Sequence, residues 1–264
     1  MIINSKVELQ NLTIAYKDQG KGKTIVLIHG FMGSHAYWEK VIPKLAENYR
    51  VIAIDLPGHG ESTSIKEEHS IEDYADVMKD LLDQLNISQV TMFGHSLGGY
   101  VTLAFAERYE RYLNGFSLIH STAYPDSDEA KKGRMANAEK VKNEGVKNVV
   151  DGLIPKLFSP NNIQKNNSEI ESAKEIGYKT SVEGTVKALI SMKDRPDRNH
   201  VLNDTNLPVL LLAGKDDQII PPEKTFSVKK ENIKTATLNS AGHMSMYESP
   251  EELVNEMKDY LNSF

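Results

Sequence analysis

The chain has 264 residues, 39% of them hydrophobic, enough apolar material for one large domain or a core with a small accessory domain. A formal net charge of −6 gives no general attraction to nucleic acid or an anionic membrane, and neither is expected as a partner. The absence of cysteine excludes disulfides, thiol nucleophiles and thiolate metal sites.

The N-terminal MIINSKVELQ lacks the basic start and apolar core of a signal peptide. No apolar run approaches the roughly 20 residues that span a bilayer, so a soluble, cytoplasmic protein is expected. VELQNLTIAYKDQG alternates loosely and ends in glycine, which suggests an antiparallel hairpin. KTIVLIHG (23–30), RVIAIDLPGHG (50–60), QVTMFGHS (89–96), FSLIHS (116–121) and PVLLLAGKDD (208–217) each open with a short apolar run. Such runs fit strands buried on both faces. Between them, 37–49, 70–86 and 97–109 read as helices. The alternation predicts an α/β fold, a mostly parallel twisted sheet with helices on both faces. Each strand ends in a polar, glycine-containing loop, and ligands of open parallel sheets bind at those carboxyl ends.

The alternation breaks near Ser121 and resumes at Pro208. We divide the chain into a core (1–121), a helical cap (122–200) and the remainder of the core (201–264). The cap holds 14 Lys/Arg against 12 Asp/Glu, a net +2 beside −8 for the rest. That contrast fits either an anionic substrate or an ordinary solvated surface. Near the C-terminus, Ser249, Pro250 and Glu252 read as the capping box of a last helix that holds the loop SAGHMSMYE.

FGHSLGGY (93–100) places Ser96 in Gly-x-Ser-x-Gly, between an apolar run and a helical stretch. This is the context of a nucleophile elbow, in which a sharp strand-to-helix turn lifts the hydroxyl above the sheet. A serine hydroxyl needs a base, and the order Ser, acid, His predicts an acid after a later strand and a histidine after the last one. Asp216 and Asp217 follow PVLLLAGK, and His243 lies in AGHM after the short run TATL.

Taken together these segments resemble the α/β-hydrolase superfamily along nearly the whole chain. GHSLGG is similar to its elbow, HGFMGS to its oxyanion loop, DLPGHGES to its loop after the next strand, GKDDQIIP to its acid turn and AGHM to its histidine loop. The resemblance implies a triad of Ser96, Asp217 and His243, since Asp217 stands three residues after Gly214 as the family's acid does; Asp216 is the alternative acid. It implies an oxyanion hole from the backbone N–H groups of Leu97 and Phe31. It implies acyl chemistry without a metal or organic cofactor, since the elbow residue is serine and not aspartate. The cap stretch RMANAEKVKNEGVKNVVD, followed by PKLF, resembles the caps of bacterial esterase and enol-lactonase relatives.

Among the other histidines, His29 and His59 read as loop braces and His95 as structural; His35, His69, His120 and His200 show no metal-ligand spacing. Asp55 reads as a turn former. Phe31, Met32, Trp38, Met244 and Met246 are candidates for an apolar substrate pocket, or for core. The expected function is hydrolysis of a small-molecule carboxylic ester or lactone. The alternatives are a C–C bond hydrolase, a lyase of the menaquinone-pathway type, and a small-molecule receptor on the same fold, with perhydrolysis as a side activity. Nothing in the sequence specifies the oligomeric state.

Overall fold

The structure, a computed structural model, describes residues 2–9, 11–65 and 70–264. His69 therefore lies outside the described residues. The sheet strands are β1 (Ile2–Leu9), β2 (Leu12–Gly20), β3 (Thr24–Ile28), β4 (Arg50–Ile54), β5 (Val90–His95), β6 (Leu113–Ile119), β7 (Val209–Gly214) and β8 (Ile233–Leu238). Their spatial order is β1-β2-β4-β3-β5-β6-β7-β8. β1 and β2 form the antiparallel hairpin, β2 pairs antiparallel with β4, and all other pairs are parallel. Every residue of β5 and β7 is buried, which is why their sequences are apolar without alternation. β8, at the edge of the sheet, buries Ile233 and Leu238 but leaves Lys234 and Thr235 exposed.

The helices are α1 (Ile42–Leu45), α2 (Ile71–Gln84), α3 (Leu97–Tyr109), α4 (Asp128–Glu144), α5 (Lys147–Leu157), α6 (Asn167–Tyr178), α7 (Val182–Asp194), α8 (Asn199–Asp204), α9 (Pro222–Thr225), α10 (Ser245–Glu248) and α11 (Pro250–Leu261). α3 packs on β5 and β6 and carries α2, while α11 packs on β8 and α1. α2 begins with a capping box: Ser70 Oγ accepts the Asp73 N–H at 3.3 Å and Asp73 Oδ2 accepts the Ser70 N–H at 2.7 Å. Between β6 and β7 the chain is helical, from α4 to α8. Among the described residues no helix is long and apolar enough to cross a membrane.

Two expectations fail. The stretch 37–49 is not one helix but a 3₁₀ turn over His35–Trp38 followed by the single turn α1. Pro43 lacks an N–H and is accommodated without cost in a first turn, where it starts the new helix. The capping box at Ser249 is also absent. Ser249 closes α10 with its N–H on Ser245 O (2.9 Å), so its backbone serves two helices and its hydroxyl caps neither. Glu252 instead accepts the Asn239 N–H.

The passage from β5 into α3 depends on close backbone approach. A Cβ on Gly98 would lie 2.4 Å from Ile28 O and 2.8 Å from His29 O. Only glycine lets α3 press against the end of β3 at this point. Gly98→Val is therefore expected to lower the unfolding free energy by about 1–3 kcal/mol, read as a shift in the urea midpoint. An unchanged midpoint would contradict the packing described.

Candidate active site

Ser96 connects β5 to α3 with no intervening loop. Its backbone sits at φ 51°, ψ −113°, a conformation that a residue with a Cβ rarely adopts. Such a residue stores about 1–3 kcal/mol and persists only when its surroundings over-determine it. Here its N–H donates to Ile119 O at 3.0 Å, and its C=O accepts from Gly99 N–H at 2.9 Å and Ser121 Oγ at 2.8 Å. Leu97 is the first residue of α3, so its N–H has no partner within the helix.

His243 lies in the loop between β8 and α10, and its Nδ1–H donates to Asp217 Oδ2 at 2.7 Å. Asp217 follows β7, and its Oδ1 accepts the N–H groups of Ile219 (2.8 Å) and Ile220 (2.9 Å). Asp216 points away, accepting from Ser159 Oγ and Asn161 Nδ2. Asp217 rather than Asp216 is thus the carboxylate against His243. Burial alone would raise the Asp217 carboxyl, but the adjoining His243 holds it far below the usual carboxylate range.

The histidine loop is tied down by a buried carboxylate that the sequence did not single out. Glu248 Oε1 accepts the N–H groups of Gly242 (2.9 Å) and Met244 (3.3 Å), while Oε2 accepts Ser159 N–H (2.8 Å). The expected anchor was α11; the carboxylate that holds the loop is on α10. His95 adds a further tie, its Nε2–H donating to His243 O at 2.9 Å. Burial lowers the His95 ring well below its ordinary value, so it remains neutral.

His120 is the second omission. It ends β6 at φ 49°, its Nδ1 accepts Gly214 N–H at 3.0 Å, and its Nε2–H donates to Ser245 Oγ at 2.7 Å. It thereby joins the end of β7 to α10. His120, Asp217 and His243 are the one group among the described residues whose donor atoms lie close enough to hold a metal, within 4.8 Å of one another. Their facing atoms are already committed to the hydrogen bonds just described.

Ser96 and His243 open onto one cavity of about 80 Å³. Phe31, Tyr37, His95 and Tyr100 line it from the core, Ile219 from the acid turn, and Arg134, Leu153, Leu157 and Met192 from α4, α5 and α7. Of the five pocket candidates, Phe31 lines the cavity. Met32, Trp38, Met244 and Met246 are corrected to core: each is fully buried and none lines the cavity. Trp38 meets the His95 ring edge-on at 6.4 Å, so it props the wall from behind. Apolar residues in a loop announce burial but not the direction of the side chain. His29 does brace its loop, accepting Leu56 N–H on Nε2 (3.0 Å), and burial lowers its pKa to about 4.

The profile described as the alpha/beta hydrolase fold matches residues 23–140. The structure of a thermophilic esterase from Thermogutta terrifontis superposes with a TM-score of 0.92 at 30% identity, over 99% of this chain and 98% of that one. The enol-lactonase from Burkholderia xenovorans LB400 superposes at 0.91 and 21% identity, over 98% and 100% of the two chains, a likeness of fold. In sequence, the (E)-2-((N-methylformamido)methylene)succinate hydrolase of Acinetobacter baylyi is 24% identical over 270 residues, covering 99% of each chain.

The depressed Asp217 carboxyl has a consequence for stability. An unfolded aspartate titrates near ~3.9, whereas the folded one stays ionised well below that. The unfolded chain then binds more protons in acid, so the stability contributed by this carboxylate is complete above about pH 5 and is lost progressively as pH falls from about 4 toward the much lower folded value. Urea unfolding from about pH 7 to about pH 3 should show a smaller loss for Asp217→Asn than for the wild type. Parallel curves would refute the assignment.

Proposed function

The chain belongs to the α/β-hydrolase family, and on that premise we propose that it is a serine hydrolase of small-molecule carboxylic esters or lactones. The observation that carries this reading is that the strained Ser96 and the His243–Asp217 pair open onto one cavity. In this reading Ser96 Oγ attacks the carbonyl carbon while His243 takes its proton. Asp217 holds the imidazole in the tautomer whose Nε2 is free to act as base, and stabilises its protonated form. The N–H groups of Leu97 and Phe31 receive the negative charge that develops on the carbonyl oxygen. The alcohol leaves with the proton from His243, and water then attacks the acyl-enzyme with His243 again as base. No step needs a metal or a cofactor.

The cavity volume narrows the substrate. At about 80 Å³ it is far below the roughly 300–1,000 Å³ usual for ligand pockets. Its lining is mostly apolar, so the group beside the scissile carbonyl is short and apolar. Residues 122–200 act in this reading as the cap that shapes it, since they supply Arg134, Leu153, Leu157 and Met192.

A fluorophosphonate probe should add one adduct to the wild-type mass and none to Ser96→Ala, and p-nitrophenyl acetate turnover should fall at least about 10³-fold in that variant. Asp217→Asn should lose a comparable factor while Asp216→Asn stays within about threefold of wild type. Adduct formation that survives Ser96→Ala, or equal losses at the two aspartates, would overturn the assignment.

A further inference from the structure

A second chamber, of about 280 Å³, adjoins the catalytic cavity and shares Phe31, Arg134 and Leu153 with it. Beyond that shared window it is lined by the polar Lys140, Lys156, Asn137 and Asn148 and by Val149, Gly152 and Leu189. Among the described residues that line it, none is acidic. The Asn148 amide is held by Glu144 on the neighbouring turn.

Some lysines of the helices between β6 and β7 are neutralised locally, and others, Lys131 and Lys132 of α4 among them, have no ion-pair partner among the described residues. Lys142, Lys147, Lys174 and Lys187 each pair with a carboxylate three or four residues away on their own helix. Lys140 and Lys156 have no ion-pair partner among the described residues. Arg134 has one, but must share it: Asp126 accepts from Arg134 Nε at 2.5 Å and from Arg195 Nη1 at 2.6 Å. Arg195 is spent structurally, lying 3.9 Å over the Tyr100 ring and donating to Met192 O. Asp126 and Arg195 are almost wholly enclosed, with side-chain exposures of 6% and 5%. Two guanidiniums on one buried carboxylate leave a net positive charge at the window, and enclosed unbalanced charge is costly unless an opposite charge completes it.

We infer that this chamber is a subsite for a carboxylate at the far end of the substrate's acyl arm, with Arg134 at the window and Lys140 and Lys156 around it. The inference rests on the serine-hydrolase reading of the adjoining cavity and specifies its substrate class: monoesters or lactones derived from dicarboxylic acids. The small apolar cavity takes the methylenes beside the carbonyl, and the chamber takes the charged end. A guanidinium suits this position because its planar fork can meet a carboxylate with two parallel hydrogen bonds. The exposed lysines act at longer range, so part of the effect is screened by salt.

The test compares monomethyl adipate with methyl hexanoate by proton release at low ionic strength, and reads the ratio of their kcat/KM values in each protein. The charge-reversed variant Lys140→Glu/Lys156→Glu should lower that ratio at least about tenfold relative to wild type. The control Lys174→Gln, whose lysine pairs with Glu171 outside the chamber, should leave the ratio unchanged. A ratio that moves by less than about twofold on charge reversal would overturn the subsite while leaving ester hydrolysis standing. If wild type cleaves neither ester, the hydrolase reading falls, and calorimetric titration of Ser96→Ala with adipate decides the chamber separately. Binding that disappears in the charge-reversed background upholds the anion site; no binding to Ser96→Ala overturns it.

Discussion

Everything at the carboxyl edge of the sheet depends on one residue's backbone being held where it would not rest by itself. Ser96 turns a fully buried strand directly into a helix that is buried from Leu97 to Ala106, and both flanks must close on it for its left-handed conformation to persist. The Ser96 N–H donating to Ile119 O and the Ser121 hydroxyl donating to Ser96 O supply one flank, and the approach of Gly98 to the end of β3 supplies the other. The parallel pairing of β3, β5 and β6 thus does more than build a core. It fixes the neighbouring strand ends to which the turn is bound, and so it holds the hydroxyl above the sheet.

The loops around that turn are fixed by buried carboxylates saturated with N–H donors. Asp217 gathers the acid turn and His243, and Glu248 gathers the histidine loop and the segment after α5. Asp55 does the same on the other side, accepting His35 N–H at 2.7 Å and Glu61 N–H at 2.9 Å, as a turn former should. Burial alone would raise Asp55, but its hydrogen bond with His35 holds it ionised and raises His35 in turn. A buried carboxylate with both oxygens engaged by donors is rigid because releasing a donor leaves a charge less satisfied. Loop geometry that no strand could impose is set in this way at three places.

The legible parts of the sequence were those where a local rule forces a residue type. Continuous apolar runs gave the parallel strands, since a strand covered on both faces has no alternative composition. Gly94, Ser96 and Gly98 gave the elbow because a tight strand-to-helix turn needs small neighbours. Asp217 and His243 were legible through chain order and a resemblance. What stayed hidden was set by tertiary placement. His120 and Glu248 carry no local pattern, and their roles exist only because β6, β7 and α10 converge. Met32, Trp38 and Met244 look like pocket residues in a loop until the fold turns them inward. The capping box appeared at Ser70 but not at Ser249, because the same motif fails when a preceding helical turn claims the serine's backbone.

The contrast between the sheet and the helices from α4 to α8 explains why the candidate catalytic residues are easier to read than the wall that faces them. The serine, acid and histidine lie at the ends of strands whose positions the sheet dictates, so their spacing leaves a trace in the sequence. The outer wall comes from α4, α5 and α7, whose cavity-facing residues Arg134, Leu153, Leu157 and Met192 fall at ordinary helical positions among lysines, glutamates and asparagines. On such helices a residue that faces the site and one that faces solvent obey the same periodicity. Their identity becomes informative only through charge balance in three dimensions. A lysine with a carboxylate one turn away is neutralised, whereas an arginine that shares its only carboxylate with a second arginine is not. The net +2 of the insertion therefore carries no meaning as a sum; what matters is which of its cations stand beside the cavity and which carboxylates they share.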